Sequence, residues 1–240
     1  MKLAQIYERL DSISAFELQE SWDNSGLIVG SFDDDIDEIV LSIDADEELL
    51  DSLKPKSLLI THHPLIFAPL KSINYNTYPS NLLQLLIKKG ISNIAMHTNF
   101  DKTHLNAYVA RRVLKVQNIE QVGSVVYFDV NSPFEQFATT VQRALSLTHL
   151  KCVKVSEQIR RVALIVGSGA SMLDEIDADC LLTGDIKYHD AMKASSLGVS
   201  MIEIEHFKSE RYFANALLEE LNNLQLMAII SSSKDPFSYH

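Results

Sequence analysis

Several short apolar runs, each stopping at a residue that can bind a ligand, constrain this chain more than any other feature. Ser57-Leu58-Leu59-Ile60 stops at Thr61-His62-His63-Pro64. Ile91-Ser92-Asn93-Ile94-Ala95-Met96 stops at His97-Thr98-Asn99-Phe100-Asp101; a further strand, Ile39-Val40-Leu41-Ser42-Ile43, ends at Asp44 with no site role assigned to it. Met201-Ile202-Glu203-Ile204 runs into Glu205-His206. Runs of this length suit buried strands. In open α/β sheets, ligands bind beyond the carboxyl ends of the strands. Chemistry in this chain is therefore expected at strand ends.

Helical periodicity fills the gaps between these runs. Leu3, Ile6, Tyr7, Leu10 and Ile13 share one face of a predicted helix over 2–13. Further helices are predicted over 46–53, 79–89 (stopped by Gly90), 103–115, 133–145 and 209–222. Strands are also predicted at 27–30, 125–130, 152–155, 162–166 and 226–230. The alternation predicts βαβ units with largely parallel or mixed sheets. A change of neighbourhood near Val122-Gly123 divides the chain. The expected domains are 1–122 plus 203–240, bearing the ligand-type residues, and 123–202, a second α/β unit.

The 240 residues suit one large domain or two small ones, and 46% hydrophobic residues suffice for a sizeable core. Lys and Arg number 21 against 32 Asp and Glu, a formal charge of −11. With no Lys/Arg cluster, a duplex nucleic-acid surface is not expected. Cys152 and Cys180 lie outside any CxxC spacing, which argues against a zinc ribbon or a disulfide framework. The N-terminal segment lacks a long apolar stretch and does not read as a signal peptide. No apolar run approaches the roughly 20 residues of a membrane span. A cytoplasmic location is the expectation. The acidic stretch Ser31–Asp37 lacks the Gly and Glu of an EF-hand and reads as a solvated turn.

Imidazole with carboxylate suits Zn, Mn, Fe or Ni. His62 and His63 are adjacent and point in different directions, so they suit two neighbouring metals better than one. His206 and Glu210 are four apart and share a face if a helix begins at His206. Glu210 then has an oxygen for each of two ions. Asp101 is either a ligand or the cap of the helix that follows. His97 is either a ligand or a donor that orients another ligand. Thr183-Gly184-Asp185 with His189 forms a further polar corner, in which Asp185 either caps the helix carrying His189 or lines a pocket. Gly167-Ser168-Gly169 reads as a turn. His104, His149 and His240 look incidental.

Taken in order, five segments resemble the NIF-three-like family, the GTP cyclohydrolase I type 2 homologues. They are Trp22-Asp23-Asn24-Ser25-Gly26-Leu27, Thr61-His62-His63-Pro64, His97-Thr98-Asn99-Phe100-Asp101, Thr183-Gly184-Asp185 with Tyr188-His189, and His206-Phe207-Lys208-Ser209-Glu210. The resemblance covers nearly the whole chain. It implies two similar α/β domains with a dinuclear divalent-metal site at their junction. It implies that His63 and Asp101 hold one ion and His62 and His206 the other, with Glu210 bridging and His97 close by. It also implies a toroidal homohexamer with its sites facing an inner cavity. Glu205 stands where relatives tend to have glycine or another small residue. The activity expected on this basis is hydrolysis of a nucleotide such as GTP, by opening of the purine ring with metal-activated water. His97 or His189 would move the protons. The alternatives are a metal-dependent phosphoesterase and a non-catalytic metal- or protein-binding ring.

Overall fold

The computed structural model describes residues 1–231 and 234–238; His240 lies outside the described residues. In chain order the elements begin α1 (Leu3–Ile13), β1 (Gly26–Val29), β2 (Glu38–Ser42), α2 (Glu47–Ser52) and β3 (Ser57–Thr61). They continue through α3 (Ser80–Lys89), β4 (Ser92–Ala95), α4 (Thr98–Phe100), a π-helical turn at Asp101–Leu105, α5 (Asn106–Tyr108) and a second π-helical turn at Val109–Val113. Next come β5 (Glu120–Val122), β6 (Val125–Pro133), α6 (Phe134–Leu145), β7 (Cys152–Val153), β8 (Gln158–Ile165) and β9 (Cys180–Thr183). The chain closes with α7 (Tyr188–Leu197), β10 (Ser200–Glu203), α8 (His206–Glu210), α9 (Phe213–Asn223) and β11 (Ile229–Ile230).

Two compact units result. The first holds Met1–Phe100 and Phe213–His240, and the second holds Asp101–Tyr212. The compact units divide at 100/101 and 212/213, beside the 122/123 and 202/203 expected for the domains. Two interactions explain why residues after Asp101 go with the second unit. Glu120–Val122 pairs antiparallel with β6, and the Asn106 side-chain amide binds the Ser124 carbonyl.

The first unit carries a five-stranded sheet in the order β1-β4-β3-β2-β11. All neighbours are parallel except β1 with β4. Its apolar face packs Val40 and Leu59 against Leu50 of α2 and Leu83 and Leu86 of α3. Gly90 ends α3 in the left-handed region (φ 63°), where its N–H caps the carbonyls of Leu86 and Ile87. The register decides where chemistry falls: Ser42 sits beside Thr61, and Thr61 beside Ala95. Residues just past those positions, Asp44, His62, His63 and His97, therefore leave the sheet at one edge.

The second unit carries a six-stranded mixed sheet in the order β5-β6-β8-β9-β10-β7. Its central strands β8, β9 and β10 are parallel, and antiparallel pairs flank them. Val125, Ala163, Leu181 and Met201 pack with Leu173 and with Ala194 of α7. Ile165 lies beside Thr183, and Thr183 beside Glu203. Gly167, Asp185 and His206 thus follow three strands that end together. Mixed α/β architecture with two sheets is what the alternating pattern predicts.

Candidate metal centre

In the first unit the strand-end register brings His62, His63 and His97 together. One potential ligand atom from each lies within 4.8 Å of the others. The ring centroids are 5.0 Å apart for His62 and His63, 5.1 Å for His62 and His97, and 5.4 Å for His63 and His97. Each imidazole is held through Nδ1. His62 Nδ1 is 2.9 Å from the Met96 carbonyl oxygen, His63 Nδ1 is 2.8 Å from Asp44 Oδ1, and His97 Nδ1 is 2.8 Å from Asp23 Oδ1. A carbonyl oxygen can only accept, so Nδ1 of His62 carries the proton. The carboxylates impose the same tautomer on the other two rings. Nε2 is then the nitrogen with a lone pair to offer, the arrangement in which a ligating histidine is oriented by an oxygen behind it.

Asp23 is the most heavily engaged of these anchors. Its side chain is fully buried. Besides His97, it accepts from the Thr98 hydroxyl, the Thr98 N–H at 3.1 Å, the Ser25 hydroxyl at 3.1 Å and the Asn24 N–H at 2.7 Å. Burial alone would raise its pKa. The hydrogen bond and charge of His97, with those from Thr98 and Asn24, outweigh burial and hold the carboxyl well below the usual carboxylate range. Trp22-Asp23-Asn24-Ser25 is thus a structural turn that fixes His97.

In the second unit α8 begins at His206, so His206 and Glu210 do share a face. His206 Nε2 lies 3.1 Å from Glu210 Oε2, and Nδ1 donates to Asp185 Oδ2 at 2.6 Å. Burial lowers the pKa of His206, but the two carboxylates outweigh it and push it up to about 10. Without a metal, His206 is an imidazolium between two carboxylates. A metal at Nε2 would displace that proton.

Two glycines make this corner possible. A Cβ on Gly167 would lie 2.1 Å from Glu210 Oε1, and one on Gly184 would lie 2.5 Å from the Gly167 carbonyl oxygen and 2.8 Å from the His206 Cα. Ser209 Oγ accepts from the Gly167 N–H at 3.2 Å, and the Gly167 carbonyl accepts from the Gly184 N–H at 2.7 Å. The Gly167-Ser168-Gly169 turn therefore serves close approach to the Glu210 carboxylate. Asp185 does not cap the next helix. Lys187 occupies that cap position with Asp190 three residues on, which frees Asp185 to anchor His206.

Other residues singled out by sequence are placed as follows. Asp101 is half-buried at the first residue of a π-helical turn, a local irregularity common near functional sites. His189 is exposed in the first turn of α7, its ring centroid 5.3 Å from that of Tyr188. Sequence reasoning gave no site role to Asp23 or Asp44. Asp44 had a visible signal, since it directly follows a strand that ends level with His62.

An α/β protein whose strand ends gather oxygen-anchored imidazoles and carboxylates, a donor set suited to a transition metal, is the class defined by this fold and site. Solved structures share the fold. The Staphylococcus aureus protein SA1388 superposes with a TM-score of 0.88 at 25% identity, covering 100% of this chain and 99% of that one. A Bacillus cereus protein related to NIF3 superposes with a TM-score of 0.83 at 19% identity, again covering 100% and 99%. The chain belongs to the Duf34/NIF3 (NGG1p interacting factor 3) family, whose profile matches residues 1–236. It is 42% identical over 240 residues to a Campylobacter jejuni protein named GTP cyclohydrolase 1 type 2 homolog, covering 100% of both chains. It is 44% identical over 234 residues to the Helicobacter pylori (strain J99) protein named GTP cyclohydrolase 1 type 2, covering 97% of this chain and 96% of that one.

Proposed function

We propose that this chain is a metal-dependent hydrolase of a nucleotide such as GTP, with His62, His63, Asp101, His206 and Glu210 holding two divalent cations. The observation that carries the reading is that the three histidines of this set, His62, His63 and His206, each have Nδ1 tied to an oxygen, which leaves Nε2 as the atom to face a metal. The donor set of imidazole and carboxylate fits Zn, Fe, Mn or Ni. When bound, such ions acidify water and stabilise negative charge on oxygen.

The remaining work falls to protein groups. His97, kept in one tautomer by a carboxylate that stays ionised at neutral pH, takes up and returns a proton through Nε2. Asp23 supports the imidazolium that forms, as a buried carboxylate behind a catalytic histidine does. His189, exposed on α7, is the alternative proton carrier. In the purine-opening reaction, one water adds at C8 and breaks the C8–N9 bond to leave a formamide on N7, and a second water hydrolyses that formamide, so that formate leaves and both nitrogens end as amines. The names of the Campylobacter and Helicobacter relatives support that reaction over a phosphoesterase.

Assembly as a toroidal homohexamer is part of the proposal. It is supported by the exposed apolar side chains of Ile73, Tyr75 and Tyr78 on one loop. A cytoplasmic setting is supported by two free thiols, Cys152 and Cys180. Among the described residues, no helix is long and apolar enough to cross a membrane.

The test is turnover by protein purified with its native metal, assayed on GTP, other nucleotides and generic phosphodiesters. Formate released from GTP, surviving repurification and lost in Glu210→Ala, is the expected result. Release of phosphate or a monophosphate would favour the phosphoesterase. Stoichiometric metal with no turnover on any substrate would favour the non-catalytic ring.

A further inference from the structure

The most exposed feature beside the histidine cluster of the first unit is aromatic. Trp22, the sole tryptophan, is 58% exposed, and Phe67 is 53% exposed. Large apolar rings left half in water are unusual enough to ask what they meet. These two stand together, ring centroids 5.8 Å apart and tilted by 51°. Both also stand against His97, at 6.3 Å for Trp22 and 6.2 Å for Phe67, each with an interplanar angle of 75°.

Neither ring is loosely hung. Trp22 precedes the buried Asp23, which is fixed by His97, Thr98, Ser25 and Asn24. The Asn24 side-chain amide donates to the Ile66 carbonyl at 2.6 Å, joining the Trp22 turn to the segment that carries Phe67. Gln19 closes the turn through the Ser25 N–H at 2.7 Å. A polar framework thus holds two apolar faces in water, at the rim of an imidazole cluster. Core packing explains neither ring. Pre-organised flat faces that need not rearrange are the feature of a stacking platform, because aromatic–base stacking accepts any base and loses little entropy in a fixed ring.

We infer that Trp22 and Phe67 form the subsite for the purine base of the substrate, stacking it beside His97. This rests on the nucleotide reading and deepens it. Water addition at C8 requires the base itself, rather than the phosphates, to lie at the histidine cluster. A platform bordering His97 places it there. A phosphoesterase would need phosphorus in that position instead.

The sole tryptophan makes the inference directly readable. Metal-loaded protein is titrated with guanosine, GTP and inorganic triphosphate, following Trp22 emission in parallel with calorimetry. Guanosine and GTP should quench Trp22, and triphosphate should leave it unchanged. Phe67→Ala keeps the reporter and should weaken guanosine binding roughly five- to a hundredfold, with Trp22→Phe affected less than Trp22→Ala. Circular dichroism and metal content are checked in each variant, and Trp22→Phe guards against misfolding of the alanine variant. GTP binding by calorimetry without quenching, or with unchanged affinity in Phe67→Ala, would overturn the platform and leave the nucleotide reading standing. No binding of any nucleotide by the metal-loaded protein would overturn both. Emission of the ligand-free protein that shifts on dilution, with no response to guanosine, would assign the two rings to contact between copies and overturn the inference.

Discussion

Glu205 is placed where the backbone and the burial both work against it, and replacing it with glycine should stabilise the protein. It is the residue before α8, with φ 57° and ψ 135°, a region that a residue with a Cβ rarely occupies. Holding such a conformation costs about 1–3 kcal/mol. The residue is only 9% exposed, and neither carboxylate oxygen makes a hydrogen bond among the described residues. Leaving a polar group buried without a partner costs about 1–3 kcal/mol more. Against these stands the greater freedom of glycine in the unfolded chain, about 0.5–1 kcal/mol. Glu205→Gly should therefore gain about 1–5 kcal/mol. For a chain of this size each kcal/mol raises Tm by about 2–4 °C. Urea melts of metal-free protein, with Glu205→Gln alongside, separate the contributions: glutamine removes the charge and keeps the strained backbone, so it should recover only part of the gain. An unchanged or lowered midpoint in Glu205→Gly would mean instead that the Glu205 side chain stabilises the folded state by at least what its conformation costs.

Two pH-linked outcomes follow from the carboxylate–imidazole pairs. Asp23 has a lowered folded pKa, so its contribution to stability is complete above about pH 4 and is lost as pH falls through the lowered value. Asp23→Asn should lose about 1–3 kcal/mol near neutrality and flatten that acid limb, as read from urea midpoints against pH. His206 has a raised folded pKa, so in metal-free protein its contribution is complete below about pH 6.5 and is lost as pH rises toward 10. Asp185→Asn should shrink that alkaline loss. Metal binding near neutrality should release the His206 proton, seen by calorimetry in buffers of different ionisation enthalpy.

The histidines at strand ends were legible in the sequence because a short apolar run and its terminal polar residue are adjacent in the chain. The parallel register then aligns Thr61 with Ser42 and Ala95, as alternation of strand and helix requires. Which residue orients which histidine was not legible. Asp23 is 74 residues from His97, Asp44 is 19 from His63, and Asp185 is 21 from His206. No local period links such pairs; only the fold joins them. Of the two readings of Asp185, the cap rests on aspartate's usual place before a helix, but Lys187 lies at the cap and the side chain of Asp185 is spent on His206. The predicted helix over 209–222 divides into α8 and α9, with Arg211 and Tyr212 between them. That break matters because it lets a separate short helix start at His206 and set Glu210 one turn away. The closing strand is shorter than its apolar run, pairing only Ile229 and Ile230 with Val40 and Leu41.

Elemental analysis of purified variants tests the proposal that His62, His63, Asp101, His206 and Glu210 hold two divalent ions. Wild-type protein should carry two ions per chain, His62→Ala and His63→Ala should each lose mainly one, and Glu210→Ala should weaken retention of both. Two ions retained in all three variants would contradict it.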